Sequence, residues 1–239
     1  MKLFSLLFFF TSISLSAVLP QEIVSKADDH RGFNSDFSFE VSVKEFSGPK
    51  NIRETRYSVL VKNEGHSLVS TLSPASQKGR KFLFVDENLW FYTPDIKRAT
   101  RVSLQQRLTG EVSNGDLAHS NFSGDYIPKI IGEEKIDSKM AWKLVLKAKK
   151  KSATYPAITY WVEKNTFLPI KAVFQTASGK TLKFCEYRAI KKILGRVLIT
   201  ELKITDALRP THQSVLFYSN FKREKLDDSL FNKDALGNE

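Results

Sequence analysis

The segment RKFLFVDENLWFYTPDIKRATRVSLQQRLTGEVSNGDLAHSNFSGDY, residues 80–126, decides how the rest of the chain is read. It opens with two runs of aromatic and β-branched residues, Lys81–Val85 and 89–93, joined by a short turn at Asp86-Glu87-Asn88. Side chains of these types suit a pleated, half-buried surface, so the pair predicts a β-hairpin. Pro94 ends it, a basic link follows, and then comes a Gly/Asn/Asp-rich stretch without strong periodicity. A polar segment of that length in a compact domain tends to be a lid or a binding loop. The stretch therefore predicts a sheet with a cover over it.

Outward from this segment, period-two alternation keeps returning. Phe37, Phe39, Val41 and Val43 point one way, Ser38, Glu40, Ser42 and Lys44 the other. The same pattern marks 56–62 (Tyr57, Val59, Val61), 67–72, 141–148 (Trp142, Leu144 and Leu146 against Lys143 and Lys147), Ala157–Glu163, 168–175, Thr181–Tyr187, 196–205 and 214–218. With the hairpin this predicts ten or eleven antiparallel strands, each with one apolar and one polar face. Turn residues such as Ser47-Gly48-Pro49, Asn63-Glu64-Gly65 and Ser178-Gly179-Lys180 connect them. Strands this numerous and short call for a barrel, a sandwich or one strongly curved sheet. Helices are expected at 20–29, with Ile23, Val24 and Ala27 on one face, Pro20 in the first turn and Gly32 closing it. Two more are expected at 115–119 and at 228–236, the latter capped by Asp228 and Ser229. Such short helices must bury their apolar faces on the sheet.

The first 17 residues join Lys2, an apolar run and the small-residue ending Ser14-Leu15-Ser16-Ala17. That order predicts an export signal cleaved near Ala17, and hence a soluble exported chain. The apolar run, interrupted by Thr11, Ser12 and Ser14, falls short of the roughly 20 residues that span a bilayer, although a retained anchor is the other reading. Residues 18–239 are expected to form one domain, since neither a linker nor a fixed-period repeat divides them. The single cysteine, Cys185, excludes an intramolecular disulfide and sits in an alternating run, where it reads as a small buried apolar residue rather than a nucleophile. Without disulfides the fold must rest on a large hydrophobic core.

Catalytic chemistry finds little support. The four histidines, His30, His66, His119 and His212, lie outside metal-ligand spacing of one another. Asp116, His119 and Asp125 can be drawn as a metal or acid/base cluster, but the plainer reading is that Asp116 caps a short helix and Asp125 makes a turn. The chain has no nucleophile elbow, phosphate loop or Cys/His pair. No catalytic residue, metal or cofactor is expected. The formal net charge is +11, with runs at Lys147, Lys149, Lys150 and Lys151 and at Lys191 and Lys192. These read either as solvated lysine faces or as attraction for an anionic headgroup, membrane surface or acidic partner. Export argues against nucleic acid.

Several short motifs, taken in order, resemble the LolA-like outer-membrane lipoprotein-sorting proteins. They are Leu72-Ser73-Pro74 before Lys78-Gly79, the run Leu89-Trp90-Phe91-Tyr92-Thr93-Pro94, the basic Lys97-Arg98-Ala99-Thr100-Arg101, Gly115-Asp116-Leu117-Ala118, Asp125-Tyr126, and the ending Asp227-Asp228-Ser229-Leu230-Phe231. The resemblance covers essentially the whole of 18–239. One departure is Val112-Ser113-Asn114-Gly115-Asp116, where many relatives carry a Gly-Ser-Asp-Phe-like segment. The resemblance implies a mainly β fold: an open, strongly bent antiparallel half-barrel with a few helices as a lid over a hydrophobic cavity. It also implies a monomeric carrier in the periplasm of a Gram-negative bacterium. Such a carrier takes an acylated lipoprotein or lipid from an ABC-type permease at the inner membrane towards the outer membrane, with transient contact to an anionic membrane surface. A non-catalytic accessory or sensor domain on the same fold is the alternative. Burying a fatty chain would gain on the order of 10 kcal/mol before ordering costs. The expected cavity lining is Phe37, Phe39, Val41, Tyr57, Val59, Val61, Trp90, Tyr92, Trp142, Leu144 and Leu146. These residues equally suit a filled core, and both faces of the 89–92 run are apolar, so its orientation stays open. Lys97, Arg98 and Arg101 are expected at the cavity mouth against a headgroup or partner, or else as guards against edge pairing. Asp116, Leu117 and Tyr126 are expected in the lid.

Overall fold

A computed structural model describes residues 18–62, 65–85, 87–119 and 121–237. The expected export signal at 1–17 lies outside the described residues, as do Asn63, Glu64 and Asp86 of two expected turns.

The described chain runs α1 (Pro20–Asp28), β1 (Phe37–Ser47), β2 (Lys50–Val61), β3 (Ser67–Ser73), β4 (Lys81–Val85), β5 (Asn88–Tyr92), β6 (Thr100–Val102), β7 (Arg107–Thr109) and β8 (Val112–Ser113). It continues through α2 (Asn114–Ala118), α3 (Phe122–Asp125), β9 (Tyr126–Ile136), β10 (Lys139–Ala148), β11 (Ala157–Glu163), β12 (Pro169–Gln175) and β13 (Thr181–Tyr187). Then come β14 (Ile190–Ile193), β15 (Arg196–Ile199), β16 (Glu201–Asp206) and β17 (His212–Arg223). Thirteen strands form one sheet in the order β6-β5-β4-β3-β2-β1-β17-β16-β13-β12-β11-β10-β9, and its two edges, β6 and β9, do not pair with each other. It is the open antiparallel half-barrel expected. Register shifts at Ser38/Glu40, Glu45/Phe46, Arg56/Tyr57, Lys143/Leu144, Trp161/Val162 and Phe174/Gln175 supply the bulges that bend such a sheet.

The sheet and its two small hairpins hold seventeen described strands rather than ten or eleven. β6, β7, β8 and β14 are too short to show a period. β9 carries Pro128 and Gly132, which argue against a strand. It is nonetheless an edge strand paired only with β10, where a proline sacrifices no ladder bond. The run at 196–205 divides at Thr200: β15 pairs with β14 outside the main sheet, and β16 returns to it. The ending at 228–236 is two single 3₁₀ turns, Asp228–Phe231 and Lys233–Ala235, capped by the carboxylate of Asp227 and the side chain of Asn232 rather than by Asp228 and Ser229. Helix α1 stops at Asp28, four residues before Gly32. A Cβ at Gly32 would lie 2.8 Å from the Phe37 ring, so that glycine serves a close approach.

Helices α1, α2 and α3 all bury their apolar residues (Ile23, Val24, Ala27, Leu117, Ala118, Phe122) in one cluster with the inward face of the sheet. A smaller cluster on the opposite face joins Leu68, Leu83, Trp90 and Tyr92 to Leu226, Phe231 and Leu236 of the tail. That settles the orientation left open by sequence: Leu89 points inward, Trp90 and Tyr92 outward.

Candidate functional site

The cover over the concave face is α2, and its position follows from local chemistry. Asn114 N and Gly115 N donate to Gln106 O and Leu104 O, and Asn114 Nδ2 donates to Ser103 O at 2.9 Å, which staples the helix start to the preceding loop. Asp116 accepts from Ser113 N at 2.8 Å and from the Tyr155 hydroxyl at 2.9 Å, with Lys183 Nζ 3.9 Å away. Burial raises the Asp116 carboxyl despite Lys183, and burial lowers Lys183 despite Asp116. Gly115 is required by proximity, because an added Cβ would stand 1.9 Å from Thr154 Oγ1. The unusual Asn114-Gly115-Asp116 is thus a tight anchoring turn. At the other end, Ser67 Oγ donates to Ala118 O, and His119 Nε2 lies 2.8 Å from Asp125 Oδ2 while its ring stacks on Phe84 at 4.0 Å.

Beneath this cover lies a cavity of about 150 Å³ lined by Phe37, Phe39, Val61, Ser67, Leu117, Ala118, Ile199, Leu202, Tyr218 and Arg31, among others. A cavity of this size admits a benzene-sized group. A second space of about 330 Å³ shares Gly65, His119 and Asn121 with it and reaches Lys149 and Lys150. A third, about 20 Å³, shares Arg31, Asp116 and His119 and runs in towards Tyr155, Cys185 and Tyr187. The three spaces therefore share walls around α2.

Arg31 and Asp116 are the charged groups of this largely apolar wall. The Arg31 side chain is 15% exposed, its guanidinium lies 4.4 Å over the Phe122 ring, and Nη1 stands 3.6 Å from Asp28 Oδ1. Asp28 is tied by its other oxygen to Ser123 N at 2.7 Å, and burial raises its carboxyl against the pull of Arg31. Burial also raises the phenols of Tyr160, Tyr187 and Tyr218, which stay protonated at neutral pH. Cys185 is buried, and burial pushes its thiol up to about 12. Among the described residues no group of three His, Cys, Asp or Glu is arranged to hold a metal ion.

Of the residues singled out from sequence, Phe37, Phe39 and Val61 lie in the cavity wall, with Leu117 above them. Val41, Tyr57, Val59, Trp142, Leu144 and Leu146 are buried in the surrounding inner cluster. Trp90 and Tyr92 are on the outer face, under the tail turns. Tyr126 is buried at the start of β9 and donates to Tyr155 O at 3.0 Å. Asp116 stands in the first turn of α2 in a capping box with Ser113, and Asp125 ends α3 rather than making a turn and pairs with His119. Lys97, Arg98 and Arg101 are exposed at the β5–β6 edge and are not part of the cavity wall, whose nearest cations are Arg31, Lys149 and Lys150. Sequence reasoning passed over Arg31, Ile199, Leu202 and Tyr218. The last three sat in strands already expected, and the missing signal was which neighbours their faces would meet.

Solved structures share this open antiparallel half-barrel with short helices over an apolar concavity. A LolA superfamily protein from Nitrosomonas europaea is 38% identical, with a TM-score of 0.86 over 91% of this chain and 99% of that one. A DUF1329 family protein from Desulfovibrio piger is 22% identical (TM-score 0.78; 91% and 97% covered). A putative outer membrane lipoprotein-sorting protein domain from Vibrio parahaemolyticus is 19% identical (TM-score 0.78; 91% and 98% covered) and shares the fold. A family model described as "Uncharacterized protein" matches residues 63–238, and no curated protein matches. The chain belongs to the LolA superfamily.

Proposed function

We propose that this protein is a periplasmic carrier that holds acyl chains of lipoproteins or lipids in its concave face and ferries them from an inner-membrane transporter, of the ABC type or related, towards the outer membrane. The observation that carries this reading is the apolar cavity between Phe37, Phe39, Leu202 and Tyr218 below and Leu117 above, in a chain of the LolA superfamily. Among the described residues no helix is long and apolar enough to cross a membrane. Each methylene moved from water into such a site gains about 0.8 kcal/mol, a non-directional attraction that requires no fixed set of polar groups. As it stands, the space under α2 holds only part of an acyl chain, so loading demands displacement of the cover. The ties to be released are His119–Asp125 and Ser67–Ala118 at the end of α2, while Asn114, Gly115 and Asp116 stay anchored at its start. No catalytic step is assigned to the site.

Native mass spectrometry of protein purified from a periplasmic extract, followed by lipid extraction, tests the reading. One exchangeable acylated ligand per chain is the expected result. Recovery of protein with no co-purifying and no exchangeable acylated ligand would overturn it in favour of an accessory or sensor role.

A further inference from the structure

Arg31 is the one guanidinium in a largely apolar cavity whose other charged lining residue, Asp116, is already committed to Ser113 N and the Tyr155 hydroxyl. A guanidinium carries five N–H donors in a rigid fork. Here Nη1 is shut off from solvent without a hydrogen-bond partner, and among the described residues no group accepts a hydrogen bond from the side chain. Asp28 Oδ1 stands 3.6 Å from Nη1, beyond ordinary hydrogen-bond length, while Ser123 N holds the other Asp28 oxygen, and Asp116 acts on Arg31 only through its charge. The ring of Phe122 beneath fixes the plane of the fork. Arg31 lines both the cavity of about 150 Å³, with Phe37, Phe39 and Leu202, and the narrow cleft of about 20 Å³ that continues past Tyr187.

We infer that Arg31 is a headgroup anchor, and that the ligand of this cavity is a single-chain lipid whose carboxylate meets the guanidinium while its tail runs along Phe37, Phe39 and Leu117. This rests on the carrier reading and narrows its cargo to fatty-acid-like amphiphiles. Two features favour a carboxylate. The fork matches two carboxylate oxygens side by side. Tyr187 and Tyr218, which line the two spaces beside Arg31, remain neutral hydroxyl donors. A charge-assisted hydrogen bond in a desolvated site is far stronger than the same bond in water, so one arginine suffices to discriminate.

The test is displacement of a neutral fluorescent probe, N-phenyl-1-naphthylamine, from lipid-stripped protein by palmitate, hexadecan-1-ol or hexadecyl phosphate. Wild-type protein should bind palmitate at least about tenfold more tightly than hexadecanol, the worth of one charge-assisted bond. Arg31→Met should lower the affinity for palmitate to that for hexadecanol, with folding of the variant checked by circular dichroism and thermal unfolding; Arg31→Lys should keep part of the preference. Equal wild-type binding of palmitate and hexadecanol, or a palmitate preference that survives in Arg31→Met, overturns the anchor while the carrier reading stands. Tighter binding of hexadecyl phosphate than palmitate overturns the carboxylate assignment. If none of the three displaces the probe, the carrier reading itself falls, and the anchor with it.

Discussion

Strands β2 to β5 present two apolar faces, and the molecule covers them differently. The outer face, with Leu60, Leu68, Leu83, Trp90 and Tyr92, is closed by the tail, which sets Leu226, Phe231 and Leu236 directly against it. Lys81 Nζ reaches Leu236 O at 3.0 Å, and Lys233 lies 5.5 Å over the Trp90 ring. The inner face, with Val61, Val69, Phe84 and Leu89, is covered by α2, whose one large apolar side chain is Leu117, and by the His119 ring stacked on Phe84. A helix made of Asn, Gly, Asp, Leu and Ala cannot fill the concavity beneath it, and the cavity of about 150 Å³ is the result. Apolar composition alone therefore does not separate a core from a binding site. The size of the side chains brought by the covering segment does.

That contrast can be broken by experiment. The largest expected effect is on the filled side: Phe231→Ala should cost about 3 kcal/mol in urea unfolding, in the range for a buried phenylalanine, while lipid binding by the folded fraction is unchanged. Lost binding at full stability would mean that the tail, not α2, covers the functional face. On the hollow side, Leu117→Trp should fill space rather than open it. Lipid affinity should fall about thirtyfold, the equivalent of two to three methylenes at about 0.8 kcal/mol each, with unfolding free energy altered by less than about 1 kcal/mol. A stability loss as large as that of Phe231→Ala would show that no usable space exists under α2.

The exposed Lys97, Arg98 and Arg101 should matter less. We propose that they contact a headgroup or partner from the β5–β6 edge rather than the cargo inside. Replacing all three by Ser should slow transfer to anionic vesicles by less than about tenfold, in a salt-dependent way, and leave equilibrium loading unchanged. Weakened loading in vesicle-free solution would place them at the mouth after all. The smallest perturbation is chemical. Cys185 lines the narrow cleft, and burial holds its thiol well above neutral pH, so thiol reagents at pH 7.5 should label it slowly until the protein is unfolded. Rapid labelling in the native state would mean that the cover is open far more than its contacts suggest.

Much of the fold was legible before any coordinates. Alternation located most strands of the main sheet, since one buried and one solvated face write a period of two into the chain. It failed where that cause is absent. β9 is an edge strand with Pro128 and Gly132, and strands of two to four residues such as β8 and β14 have no period to show. The site was legible in part. Phe37, Phe39, Val61 and Leu117 were named; Arg31 was not, because a lone arginine after a helix looks like any solvated charge. Only the fold brings Asp28, Phe122, Tyr187 and Tyr218, far apart in sequence, around it.

By itself, the sequence determined the half-barrel, its family and the presence of a short polar cover in residues 80–126, because local alternation, turn chemistry and motif order are properties of neighbours along the chain. Tertiary structure alone decided which face of Leu89-Trp90-Phe91-Tyr92 looks inward, which cover fits tightly, and where the buried charge sits. Those outcomes depend on the volumes and donors that distant segments bring together, and volume left unfilled is not written at any single position.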